Sequence, residues 1–259
     1  MTVLAIAALL IPGLRLDRRL WLTAGLVLLA GDLWTWYDTD NHQYVIAYWC
    51  LALALALGAG TGGAASTQSA NASLARSARW IVGLSFLFAT AWKLHAPDYL
   101  DGTFFHFALL ADPRFHDLSV WLGDLPLAEL QANRDAFETL LHPASDLTAV
   151  AFSDSSGIRP LAVWMTWWTV AIEALVAAAF LSPAGSLPYR VRDGLLLVFI
   201  LTTYLFAPVT GFGWVLLAMG FAQTPPGAAV RRLAYVALFL GLQLYRAPWP
   251  RLVDWMFGS

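Results

Sequence analysis

Residues 81–95 read IVGLSFLFATAWKLH. Twelve positions of apolar and small hydroxyl residues run from Ile81 to Trp92, and then comes Lys93. No strand of a soluble sheet is this long and this uniformly apolar, whereas a helix in lipid needs such a run. An ammonium near the end of a membrane helix must snorkel, pair or stay neutral, so Lys93 is at once a marker of topology and a functional candidate.

The surrounding composition agrees. The chain has 259 residues, of which 59% are hydrophobic and 12% charged. Soluble domains carry about 25% charged residues, and mean hydropathy here is +0.63. A net charge of −2 offers no electrostatic footprint for nucleic acid. Cys50 is the single cysteine and lies in an apolar segment, which excludes an intramolecular disulfide and a cysteine-based metal centre. The expected fold class is all-α: a polytopic transmembrane helical bundle of about 7–8 helices, forming one transmembrane domain over 1–259. Apolar spans are expected near 2–14, 19–37, 43–60, 78–96, 160–182, 191–206, 210–223 and 231–246. The first is short, is ended by Pro12 and Gly13, and alternatively lies in the interface. Pro208 and Gly211 divide the run from Val191 to Gln223 into a hairpin.

Arginines orient the set. Arg15, Arg18 and Arg19, then Arg76 and Arg79, Arg190 and Arg192, and Arg231 and Arg232 alternate with acidic or neutral connections. Placing all four basic clusters inside puts both termini and the segment 97–159 outside a bacterial inner membrane. Residues 61–75, rich in Gly, Ala, Ser, Thr and Asn, read as a flexible cytoplasmic linker. The segment 97–159 is too long for a bare connector. In it, Thr103–Leu110 is expected in the outer interface and Pro126–Leu141 as an amphipathic helix on the outer face.

Candidate chemistry gathers on that outer side. Asn41 and His42 open a helix after Asp38 and Asp40, facing the same compartment as Lys93. Together they form the expected catalytic set: Lys93 as base, with His42 and Asn41 orienting it. The plainer alternative is that Asn41 caps a helix and Lys93 snorkels. Two carboxylates lie deeper, Asp32 and Glu173, and each must face the bundle interior or water. Trp34, Trp36 or Tyr37 could donate to Asp32, and Glu173 could serve as a structural acceptor for a neighbouring helix. With Trp92 and Tyr204, the two acids make the expected ligand-binding set. His42, His95, His106, His116 and His142 all fall at the outer side without tight ligand spacing, so no metal site is expected. The 13 tryptophans mostly flank spans, as an aromatic belt does.

At these residues a family resemblance emerges. The stretch TDNHQYV at 39–45 resembles the Asn-Asn-His-Ser-Tyr-Leu type motif that opens a helix in vitamin K-dependent gamma-carboxylases and their bacterial relatives, the horizontally transferred transmembrane (HTTM) family. FLFATAWKLHAPDYLDG at 86–102 is similar to that family's next signature, an apolar helix ending in Lys-Leu followed by an acidic-aromatic step and a glycine. VAIEAL at 170–175 resembles a later helix with an intramembrane acid at Glu173, and 199–222 resembles the hairpin after it. Where the family often has Phe-His, this chain has Leu201, Thr202, Thr203 and Tyr204. The resemblance covers about residues 20–225. It implies the membrane core of the family, Lys93 as the base toward a reduced, vitamin K hydroquinone-like quinone, and His42 beside it.

Two functions of different class stand on this sequence. One is a carboxylase- or epoxidase-like membrane enzyme that uses a quinone or lipid-like ligand to modify a substrate, such as an exported peptide, at the outer face. The other is a non-catalytic subunit or assembly factor of a larger membrane complex, docking through 97–159 and the tail from Arg246 to Ser259, with Pro248, Trp249 and Trp255 as anchors. A transporter predicts repeated halves and paired helix breaks, and only the break at Pro208–Gly213 is present.

Overall fold

A computed structural model describes residues 13, 16–37, 39, 41–59, 64–143, 146–206 and 210–246. The expected first span, the loop residues Asp38 and Asp40, and the docking tail beyond Arg246 lie outside the described residues. The described chain is all-helical: α1 Arg18–Trp34, α2 Asn41–Ala59, α3 Ala64–His95, α4 Pro97–Leu100, α5 Thr103–Ala111, α6 His116–Trp121, α7 Leu127–Leu141, α8 Ile158–Leu181, α9 Leu187–Phe206, α10 Thr210–Gln223 and α11 Ala229–Arg246. Among the described residues α8, with 24 residues, is the one helix long and apolar enough to cross a membrane. His42–Gly58 and Gly211–Gln223 are shorter apolar helices. Where the sequence suggests a single domain, the chain divides into two compact units, drawn from Met1–Val82 with Val209–Ser259 and from Gly83–Pro208.

In the first unit, α1 and α2 form an antiparallel pair held close by glycines. A Cβ on Gly25 would stand 2.8 Å from the Leu51 side chain, and one on Gly58 would stand 2.8 Å from the Arg18 guanidinium. Further along, the Tyr44 hydroxyl donates to the Asp32 carbonyl at 2.9 Å. The Asp17 carboxylate starts α1 by accepting from the Arg19 amide at 2.8 Å, which satisfies one of the orphan donors of a helix N-terminus. α10 and α11 form a second antiparallel pair. The Tyr235 ring lies flat against Gly220, where a Cβ would come within 2.2 Å of it, and Trp214 meets Phe239 edge to face at 6.1 Å.

The linker expected at 61–75 is corrected. Residues 64–75 are the first turns of α3, which runs unbroken for 32 residues to His95. Glycines stop at Gly63. Beyond it Ala64, Ala65, Ala70, Ala72 and Ala75 supply high helix propensity, and no glycine or proline interrupts them. Low-complexity composition was the wrong cue, because the polar Ser, Thr, Gln and Asn between the alanines favour an exposed helix face as readily as a loop.

The second unit joins the last turns of α3 to α4–α9. α3 and α8 run antiparallel. Gly83 lies against Leu181, where a Cβ would meet the leucine at 2.7 Å, and Lys93 reaches Glu173. Phe86 of α3 and Phe199 of α9 meet edge to face at 4.6 Å. The segment between α3 and α8 folds on itself. Phe105, Leu109, Leu110, Phe115, Leu118, Leu125 and Leu130 form one core with Ile158, Ala162 and Met165 of α8.

Thr103–Leu110, expected in the outer interface, packs one face into this core and leaves Phe104 and Phe107 52% and 44% exposed. α5 buries Phe105, Ala108, Leu109, Leu110 and Ala111, because α6 and α7 supply the apolar partners that lipid would otherwise provide. α7 is the amphipathic helix expected at 126–141, with Leu130 and Asn133 buried. The Asn133 amide closes a two-way bridge to Ser153, donating to its carbonyl and accepting from its amide, each at 2.8 Å. Gly157 packs backbone to backbone on Gly123, where a Cβ would stand 2.6 Å from the Gly123 carbonyl oxygen.

Candidate functional site

Lys93 lies in the last turn of α3, and its ammonium donates to Glu173 Oε1 of α8. The side chains are 19% and 9% exposed, so the pair is largely withdrawn from water. Lys93 Nζ also stands 5.4 Å over the Tyr99 ring, within range of a cation–π attraction. Lys93 thus neither snorkels freely nor stands unpartnered.

Tyr99 reaches the site because Pro97 and the turn after α4 fold the chain back over the end of α3. Gly102 makes that turn possible. It adopts φ 84, and a Cβ there would come within 3.1 Å of Val163 on α8. The Tyr99 hydroxyl is 2.6 Å from Thr169 Oγ1, and the Thr169 hydroxyl donates to the Thr166 carbonyl at 2.9 Å. Thr169 has one hydroxyl proton, so Tyr99 is the donor in the first bond. Burial pushes the Tyr99 phenol above its ordinary value; the Thr169 hydrogen bond opposes this and the Glu173 charge adds to it. Tyr99 is therefore a fixed neutral donor rather than a base.

Two buried polar atoms here have no hydrogen-bond partner, Glu173 Oε2 and Thr166 Oγ1. Thr166, Thr169 and Glu173 recur at three and four residues and so share one face of α8. An orphaned buried acceptor carries a substantial desolvation cost, and a hydroxyl- or amine-bearing ligand is the chemistry that would relieve it.

The remaining sequence candidates divide plainly. Trp92 is 74% exposed and does not join the buried cluster, because it follows the outward face of α3. Tyr204 is buried on α9, 3% exposed. His42 and Asp32 belong to the other compact unit. There the His42 ring packs on Phe212 at 5.6 Å, and Asp32 is buried at 7% exposure with Oδ2 lacking a hydrogen-bond partner. The aromatic donors expected for Asp32 are corrected: Trp34, Trp36 and Tyr37 are 70–85% exposed, and Tyr44 bonds the Asp32 backbone instead. Asn41 begins α2, and its side chain lies outside the described residues. Among the described residues no three His, Cys, Asp or Glu side chains converge as metal ligands. His106 instead meets Asp154 at 2.8 Å.

Asp112 braces the outer segment nearby. Its burial works against ionisation, but hydrogen bonds from the Arg114 side chain and amide outweigh it, and its carboxyl sits below the ordinary carboxylate value. A carboxyl with a lowered folded pKa stabilises fully above the unfolded value, near about 3.9, and that stabilisation fades as pH falls through the folded value. Asp112→Asn is expected to lower thermal stability at pH 7 and to converge with wild type in strong acid. Melting curves across pH measure this, and a gap that persists undiminished at the lowest pH speaks against it.

Tyr99, Thr166 and Thr169 were not singled out from sequence. The threonines had a readable signal, since they fall on the Glu173 stripe of an otherwise apolar helix. Compared with family models, with curated proteins and with solved structures, the chain shows no significant match.

Proposed function

We propose that this chain is a polytopic integral membrane protein similar to the HTTM and gamma-carboxylase-like group. In this reading Lys93 removes a proton from a hydroxyl-bearing, reduced quinone-like ligand at the outer side of the bilayer. The observation that carries it is the buried Lys93–Glu173 pair with a spare Glu173 oxygen. The residues fit such a ligand: Glu173 Oε2 and Thr166 Oγ1 offer unfilled hydrogen-bonding positions, and the Tyr99 phenol, its proton committed to Thr169, keeps an acceptor lone pair beside them. A reduced quinone supplies an acidic ring hydroxyl when bound.

The chain's own part is proton handling. An ion pair and its neutral form differ only in which partner holds one proton, and burial disfavours the charged form. Passing that proton from Nζ to Glu173 leaves Lys93 a free amine, which accepts the next proton at Nζ. Thr169 fixes the Tyr99 ring, which attracts Lys93 in its ammonium form. Within the same unit Tyr204 is buried on α9 and Trp92 is exposed on α3, and the proposed chemistry rests on Lys93 and Glu173 alone.

The arginine clusters and the helix positions support an orientation with both termini and 97–159 extracytoplasmic in a bacterial inner membrane. α3 is about 48 Å long at 1.5 Å per residue. That exceeds a hydrocarbon core of about 30 Å, so its polar first third projects into the cytoplasm.

Lipid-extract mass spectrometry of purified protein tests the reading. Wild type is expected to retain a quinone that Lys93→Met loses, with both proteins compared below their melting temperatures and shown monodisperse. Equal retention rules out the lysine as the binding group. A stoichiometric protein partner without any quinone would favour the subunit reading instead, with an exported peptide or complex subunit as partner. The folded outer segment, which leaves Trp121 and Leu122 80% and 61% exposed, gives that reading its docking surface.

A further inference from the structure

α8 carries an open cleft of about 720 Å³ lined by Arg159, Pro160, Val163, Trp164, Trp167, Trp168 and Ala171, with its tryptophans on the side of the helix turned away from Glu173. Its walls are apolar except at one end, where Arg159 stands. Trp164 and Trp168 stack in parallel, 6.0 Å apart and 7° between planes. Trp168 is pinned by its indole N–H, which donates to Thr202 of α9 at 3.3 Å. Trp164 and Trp167 remain 61% and 52% exposed. The pinned Trp168, the Trp164 stacked on it and the exposed Trp167 make an apolar wall along one side of the helix.

The charged end is equally built. Arg159 Nη2 donates to the Asp101 carbonyl at 2.8 Å, which aims the guanidinium and leaves further N–H donors for a ligand. The neighbouring Asp101 carboxylate accepts from the Thr103 amide at 2.8 Å and, as an anion, also attracts Arg159, so a phosphate there shares the guanidinium with it. No acidic side chain lies in the first turn of α8, so the positive end of the helix dipole adds to Arg159. From Arg159 to Ala171 the cleft follows the helix for about 18 Å at 1.5 Å per residue.

From this arrangement we propose that the cleft is a phospholipid site, with the phosphate on Arg159 and one acyl chain lying along Trp164, Trp167 and Trp168. A planar guanidinium matches phosphate geometry, and a single cation capping a long apolar trough matches a molecule that is anionic at one end only. The site is distinct from the Lys93–Glu173 cluster in that its indoles lie on the side of the helix turned away from Glu173, and it rests on the reading that α8 crosses the membrane.

The test is thermal stability of the purified full chain in a neutral detergent, titrated with phosphatidylglycerol and, separately, with diacylglycerol of the same chains. Phosphatidylglycerol is expected to raise the melting temperature with saturation, and diacylglycerol to do so weakly. Arg159→Gln should raise the half-saturating phosphatidylglycerol concentration about tenfold or more, as loss of a charge-assisted bond implies. Arg159→Lys should recover much of that, which separates lost phosphate binding from misfolding. Trp167→Ala should weaken the response to both lipids. Equal half-saturation in wild type and Arg159→Gln, or equal stabilisation by the two lipids, overturns the phosphate site while leaving the membrane reading intact. A chain that stays monodisperse in buffer without detergent sinks both.

Discussion

Glu173→Leu is expected to destabilise the folded protein by about 3–5 kcal/mol, and adding Lys93→Met is expected to restore most of that loss. The asymmetry follows from burial. Removing one member of a buried pair leaves the other charge without compensation, whereas replacing both by apolar side chains of similar volume is often neutral or stabilising. Lys93 and Glu173 are 19% and 9% exposed on their side chains, close enough to that limit for the rule to apply. The alternative is a lysine that relaxes toward the headgroups once Glu173 is gone. In that case the loss falls to about 1 kcal/mol, the scale of an exposed pair, and the double variant gains nothing. Unfolding midpoints of the two single variants and the double variant in mild detergent separate the cases. Additive losses would show that the two side chains do not act as a unit.

The helices were legible because their signal is local. Apolar runs of the right length mark α1, α2, α8, α9, α10 and α11, and the break near Pro208 is where α9 stops at Phe206 and α10 begins at Thr210. α3 was half legible. Its apolar second half is plain, but its Ala-, Ser- and Asn-rich first half has no hydrophobic period to read. The tertiary packing of the segment 97–157 is not local in the sequence. Thr103–Ala111 is apolar enough for an interface, and only the apolar residues supplied by Phe115, Leu118, Leu125 and Leu130 convert it into a core helix.

The site was legible by residue type and not by pairing. Lys93 and Glu173 each stand out as ionisable groups in apolar runs, the condition that makes such residues functional candidates. Nothing local says that they meet, since 80 residues separate them. Sequence order drew attention to His42 and Asn41, yet the group that touches Lys93 comes from α8. A lysine and a glutamate in one set of apolar helices are each other's least costly partners.

Leu130→Ala is expected to cost about 2–5 kcal/mol, the range for emptying a leucine site in a packed core, and to expose the outer segment to protease. Leu130 is wholly buried and lies at the junction of α5, α6, α7 and the first turns of α8. Residues 97–157 are not a loop draped on a bundle, because Ile158, Ala162 and Met165 of α8 complete their core. The same helix then carries Thr166, Thr169 and Glu173 deeper. The outer segment and the Lys93 site are therefore built on one continuous scaffold, and Tyr99 is the side chain that links them through Thr169. Where opening and closing are fast, cleavage follows the population of the open form, so the loss should raise proteolysis within 97–157 by about thirtyfold or more. Leu141→Ala, at a position 64% exposed, should leave the rate near wild type. Equal cleavage in Leu130→Ala and wild type would mean that the segment does not fold as a unit, and that Tyr99 is held only by its own turn and by Thr169.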